Sequence, residues 1–129
     1  MLLKKIIHKL DKNFQNLSFS GIKFNSKECK YRDVFFAIKG TKINGNKFIS
    51  NAIKNGAKTI ISDQKFTGFK DDVLFLNHKN PRMALAIAAS IVYDKKPKNL
   101  IAVTGTNGKS SIANFFFQIL KLNNKKVAS

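Results

Sequence analysis

The chain has 129 residues, of which 43% are hydrophobic, and carries a net charge of +17. This length suits one average domain, or a small domain with the start of another. The apolar fraction supports a packed core and excludes wholesale disorder. No apolar run approaches the roughly 20 residues needed to cross a bilayer. The charge raises the question of a nucleic-acid partner. There are 22 lysines against 2 arginines, and they are spread along the whole chain. Arginine is the usual reader of phosphates and guanine edges, so this distribution argues against nucleic acid. A positive field still suits attraction of an anionic nucleotide. Cys29 is the single cysteine. It excludes an internal disulfide, leaves no metal cluster to expect, and fits a reduced cytoplasmic setting.

In chain order, Met1 to Leu10 lacks the continuous apolar stretch of a signal peptide. Its spacing predicts a short amphipathic helix with Leu3, Ile6, Ile7 and Leu10 on one face, which leaves a membrane-surface role as a minor alternative. A strand is expected over Asp33 to Ile38, then a helix over Lys47 to Asn55 closed by Gly56. Lys58 to Ser62 and Val73 to Leu76 read as buried strands, with a polar connection, Asp63 to Asp72, between them. Asn80 as N-cap and Pro81 at the first helical position start the clearest helix, ending near Tyr93. Asp94 to Asn99, with Pro97, is the expected domain boundary. Leu100 to Thr104 reads as a further strand, Ile112 to Leu120 as an amphipathic helix, and Lys125 to Ser129 as the opening of a next strand. His8 and His78 read as surface or loop residues, not ligands.

Residues Gly105 to Ser111 (GTNGKSS) sit between that strand and that helix. Glycines let the backbone bend so that several N–H groups face one anion, and the helix N-terminus adds its partial positive charge. Lys109 is placed to reach terminal phosphates, and the Ser110 hydroxyl to ligate Mg²⁺. The general phosphate-loop pattern is G-x-x-x-x-G-K-[ST]. Here Val103 stands at the first glycine position and Gly105 lies two residues later, so the loop departs from that pattern.

The string VTGTNGKSS resembles the ATP loop of the Mur ligase family, with serine at two positions where threonine is common. The resemblance implies ATP-driven amide formation through an acyl phosphate. It also implies ATP binding by Gly105, Thr106, Asn107, Gly108, Lys109, Ser110 and Ser111, and Mg²⁺ at Ser110. The preceding segment, Phe24 to Ser62, is similar to the N-terminal segment of the family's third-residue (MurE-type) ligases. It departs at Asn25 and Asn44 (usually Asp), Lys27 (usually Arg) and Arg32 (usually Gly). By position, the resemblance implies contacts to a UDP-MurNAc substrate from Phe24, Ser26, Thr41, Lys42 and Ile43. Asn80, Arg82, Tyr93 and Pro97 resemble the lead-in to the loop in the same ligases.

The expected fold is α/β. A MurE/MurF-like nucleotide-binding domain over residues 1–95 would be followed, over 96–129, by the first strand, phosphate loop and helix of an incomplete ATP-binding central domain. The implied function is an ATP-dependent peptidoglycan-precursor ligase adding the third amino acid, diaminopimelate or lysine, to UDP-MurNAc-L-Ala-D-Glu. It would be cytoplasmic and monomeric at full length, with ATP and Mg²⁺ as cofactors and no nucleic-acid partner. No catalytic residue is assigned, because none of the seven carboxylates follows the loop, and the chain alone is expected not to ligate. A MurF-type ligase and a non-catalytic UDP-sugar-binding module are the alternatives.

Overall fold

A computed structural model describes residues 1–7, 10–95 and 98–127. The chain divides into two compact units, Met1–Asp94 and Lys95–Ser129.

The first unit is built on a five-stranded sheet with strands β1 (Ile22–Lys23), β2 (Val34–Phe36), β3 (Thr59–Ser62), β4 (Gly68–Lys70) and β5 (Val73–Asn77). Their order is β1-β2-β3-β5-β4. All neighbours are parallel except β4, which pairs antiparallel with β5 at the edge. Helix α1 (Ile49–Lys54) lies between β2 and β3, and helix α2 (Pro81–Val92) follows β5.

Successive strand residues point to opposite faces, and the sequence loads both faces. Val34, Phe36, Ile61, Leu74 and Leu76 join Ala84 and Ala88 of α2 in one core. Phe35, Ala37, Ile60 and Val73 join Cys29 and, from α1, Ile49 and Ala52 in the other. A sheet buried on both faces explains why its central strands read as continuous apolar runs, not as alternating ones.

The N-terminal segment is not the expected helix. Among its described residues it forms a 3₁₀ turn, Leu3–Lys5, and pairs in an extended bridge at Leu2 with Ser18. Ten residues are too few to sustain an isolated helix, and tertiary burial decides the conformation. The expected apolar face is nevertheless used: Leu3 and Ile6 are buried in the α2-side core, with Ile7 and Leu10 packed against it.

The helix expected over Lys47 to Asn55 starts as a 3₁₀ turn, Gly45–Phe48, and continues as α1. Gly56 closes it at φ +110°, and a Cβ there would meet the Tyr31 nitrogen at 2.7 Å. The expected cap of α2 is present: Asn80 Oδ1 accepts from the Met83 amide at 3.0 Å, with Pro81 opening the helix. Two strands were absent from the sequence reading. One is β1, and the other is β4, which lies inside the connection expected to be polar loop. The turn Asp71–Asp72 has both residues at positive φ, 49° and 61°, and joins β4 to β5 with Lys70 opposite Val73. This is the backbone of a two-residue hairpin.

In the second unit, helix α3 (Lys109–Leu122) follows the glycine loop. Leu100–Thr104 forms no ladder, contrary to expectation. A strand's backbone groups need a neighbouring strand, and the described residues of this unit provide none. Lys125–Val127 is likewise unpaired. Ala128 and Ser129 of the expected terminal strand, Pro97 of the boundary segment, and His8 lie outside the described residues.

Candidate nucleotide sites

Phe24 to Ser26 follow the last residue of β1, and Lys39 to Asn44 follow β2. The two connections therefore leave adjacent parallel strands at their carboxyl ends, where open α/β sheets form ligand crevices. Phe24 is 69% exposed, whereas Ser26 is only 5% exposed. Asn25 caps the 3₁₀ turn Ser26–Glu28: its Oδ1 accepts from the Lys27 amide at 3.1 Å, and its Nδ2 donates to Glu28 at 2.9 Å. The Asn in place of Asp thus keeps a capping acceptor. The Ser26 carbonyl accepts from Asn55 Nδ2 at 2.9 Å. The Ser26 hydroxyl takes no partner among the described residues.

Thr41, Lys42 and Ile43 form a tight exposed turn. The Gly40 amide donates to the Ile43 carbonyl at 2.8 Å, the Gly45 amide donates to Ile38 at 3.0 Å, and Lys39 bridges Asn44. A Cβ on Gly45 would fall 2.5 Å from the Ile38 nitrogen and 2.6 Å from its oxygen. Only glycine lets the turn close against the end of β2. Asn44, again where Asp is usual, accepts from the Asn46 amide at 3.0 Å.

Asn46 and Asp63, which the sequence did not single out, complete this edge. Asn46 Nδ2 donates to Asp63 at 2.7 Å, tying the turn to the end of β3. Asn46 Oδ1 is buried without a partner among the described residues. No spacing signal links these two positions, 17 residues apart. Arg82 Nη2 donates to the Lys39 carbonyl at 3.4 Å. His78 lies just past β5, where its Nδ1 accepts from the Asn80 amide at 3.1 Å, a local turn contact. Cys29 is buried, and burial first, with the Asp33 carboxylate second, pushes its thiol up to about 11. It is a neutral core residue.

The glycine loop belongs to the second unit and is described by itself. Gly105 and Gly108 have φ of 148° and 75°. Gly108 is the N-cap of α3, and no side chain caps the helix. Its first-turn amides are therefore open to an anion. The Lys109 ammonium folds back onto the loop, donating to the carbonyls of Gly105 and, at 2.9 Å, Thr106. Thr106, Asn107, Ser110 and Ser111 are exposed along the same loop and first turn. Uncapped amides, a positive φ at the cap and a lysine over the loop fit a nucleotide's phosphates. For a divalent ion the unit offers the Ser110 hydroxyl, and phosphate oxygens of the nucleotide together with water would fill the remaining positions. Among the described residues, no group of three or more His, Cys, Asp or Glu could hold a metal. No helix among them is long and apolar enough to cross a membrane.

These features fall within a known class. The Mur ligase family, catalytic domain, matches residues 18–100, and the chain belongs to the Mur ligase family. It is 48% identical over 122 residues to the UDP-N-acetylmuramoyl-L-alanyl-D-glutamate–2,6-diaminopimelate ligase of Rickettsia montanensis, which covers 95% of this chain and 25% of that one. Among solved structures, it resembles the MurF ligase from Thermotoga maritima in complex with ADP. That likeness has a TM-score of 0.62 and 32% identity, and covers 78% of this chain and 23% of the other. It also shares the fold of a UDP-N-acetylmuramoyl-L-alanyl-D-glutamate–2,6-diaminopimelate ligase, with a TM-score of 0.68 and 23% identity, over 96% of this chain and 26% of the other. The chain spans about a quarter of the length of the curated relatives it matches.

Proposed function

We propose that this chain carries the uridine-nucleotide site and the ATP loop of the peptidoglycan-precursor ligase that adds the third residue to UDP-MurNAc-L-Ala-D-Glu. The observation that carries this reading is the carboxyl edge of β1 and β2, where Ser26 and the Thr41–Ile43 turn leave neighbouring strands in a chain of this family. The added residue is taken as diaminopimelate, in line with the name borne by the 48%-identical relative. A MurF-type assignment has less support, at 32% identity.

In this reading, residues 1–95 bind the UDP moiety and 96–129 begin the ATP-binding domain. Phe24 offers an apolar surface to the uracil ring, and Ser26 offers its free hydroxyl to the ring edge or a phosphate. The Thr41–Ile43 turn supplies backbone groups beside them. Gly105 to Ser111 hold the ATP phosphates through the open amides of α3, with Lys109 exchanging loop carbonyls for phosphate oxygens. Ser110 ligates Mg²⁺. When bound, ATP supplies the phosphoryl group that activates a substrate carboxylate. The protein is assigned to the cytoplasm as a monomer at full length, with no nucleic-acid partner.

The test is calorimetric titration of UDP-MurNAc-dipeptide, UDP and ATP–Mg²⁺ into the folded chain. Saturable binding of both UDP ligands, weakened by Ser26→Ala, is expected. A folded chain that ignores both UDP ligands would refute the assignment of the carboxyl edge.

A further inference from the structure

The two arginines lie toward opposite ends of β2. Arg32 lies two residues ahead of β2, and its guanidinium donates to the Ser18 hydroxyl. Arg82 is the second residue of α2, and it is exposed beside the carboxyl end of β2. Its Nη2 donates to the carbonyl of Lys39, the residue that bridges Asn44 at the stem of the Thr41–Ile43 turn. The guanidinium therefore lies against the base of that turn. A guanidinium has five N–H donors, and the Lys39 carbonyl is the only partner Arg82 has among the described residues.

The surroundings hold no competing anion in sequence. Residues 37–46 and 78–85 contain Lys39, Lys42, Lys79 and Arg82 and no Asp or Glu. Asp63, the acid at the end of β3, accepts from Asn46. In a chain with 22 lysines, an arginine at this position is chemically distinct. Its planar fork matches two phosphate oxygens at once, which an ammonium cannot do.

We infer that Arg82 binds the diphosphate of the nucleotide held at the carboxyl edge, while bracing the Thr41–Ile43 turn through Lys39. This rests on the reading of that edge as a uridine-nucleotide site. The division of labour is specific. Phe24 and the turn receive the nucleoside, and Arg82 receives its phosphates. The guanidinium keeps donors for the ligand while one holds Lys39, so binding requires no rearrangement of the turn.

The experiment is calorimetric titration of UDP and of uridine into the full chain, as wild type, Arg82→Gln and Arg82→Lys, with circular dichroism confirming each fold. Wild type is expected to bind UDP more tightly than uridine. Arg82→Gln is expected to weaken UDP roughly tenfold or more, as loss of a charge-assisted contact implies, and to weaken uridine clearly less, because uridine loses only the brace on the turn. Arg82→Lys should restore only part of the UDP affinity. Equal weakening of UDP and uridine would reduce Arg82 to a brace and overturn the inference. UDP binding unchanged in Arg82→Gln would overturn it while leaving the nucleotide site intact. A folded wild type that binds neither ligand would sink the site and the inference together.

Discussion

The side-chain amide of Asn55, just past the end of α1, donates to the carbonyl of Ser26 at 2.9 Å, across 29 residues of sequence. This bond fixes the segment that presents Ser26 against the helix that follows the Thr41–Ile43 turn. Asn55→Ala should cost about 1 kcal/mol in urea unfolding, the net worth of one such bond. It should also weaken UDP binding without touching the ligand. Unchanged UDP affinity would mean that Ser26 needs no such support.

Gly45→Ala is expected to do more. The added methyl would overlap backbone atoms of Ile38 that cannot step aside. The turn must move, so UDP affinity should fall at least tenfold, while α2 and the α2-side core stay folded. Retention of wild-type affinity would separate the turn from the ligand.

Arg32 holds a φ of 66°, the left-handed region that costs an ordinary residue roughly 1 kcal/mol. Its side-chain bond to Ser18 is exposed and offsets little. Arg32→Gly should raise stability by a few tenths to about 1 kcal/mol, and Arg32→Val should lower it by about 1–2 kcal/mol. Chemical denaturation of the three proteins checks this, and the reverse order of midpoints would contradict it.

Cys29 should resist alkylation. With its thiol pushed up to about 11, it stays neutral at pH 8, and iodoacetamide should label it only once the chain is unfolded. The sign of the linked stability follows. Between about 9, where an unfolded thiol ionises, and about 11, the folded state holds the extra proton. Stability therefore falls as pH rises through that window. Cys29→Ser or Cys29→Ala should flatten that part of the pH profile.

Lys109→Ala should abolish measurable ATP–Mg²⁺ binding by the loop, and leave UDP binding unchanged because Lys109 lies in the other compact unit. Parallel titrations of the two nucleotides report both effects, and a loss of UDP binding would contradict the assignment of separate sites.

Much of this molecule is legible in its residues, and the exceptions share a cause. Helix α2 could be read because Asn80 and Pro81 specify its start locally. The central strands could be read because they are buried on both faces. Strands β1 and β4 could not, since two- or three-residue edge strands draw their stability from a partner remote in sequence. The Asp71–Asp72 pair was the one local hint of the hairpin. The N-terminal segment shows the converse. Its apolar spacing correctly marks Leu3 and Ile6 for burial, yet the same spacing serves a turn and a bridge as well as a helix. At the candidate nucleotide site, the turn residues came from a motif, whereas Asn46, Asp63 and Asn55 act through contacts that no spacing encodes. Arg32 was visible as a departure from the usual glycine, and the φ at that position supplies the physical meaning of the usual residue.

Phe35 and Phe36 are consecutive, and both are sealed, but they belong to different cores. Strand β2 is thus a partition wall with furniture fixed to both sides. Deleting one residue just ahead of Val34 would turn every side chain of the wall to the opposite room. Phe36 would then face Ile49 and Ala52 of α1, and Ala37 would leave a void under α2. Length changes should accumulate instead in the exposed stretch from Gln64 to Thr67, past the Asp63 tie, where no residue belongs to either core.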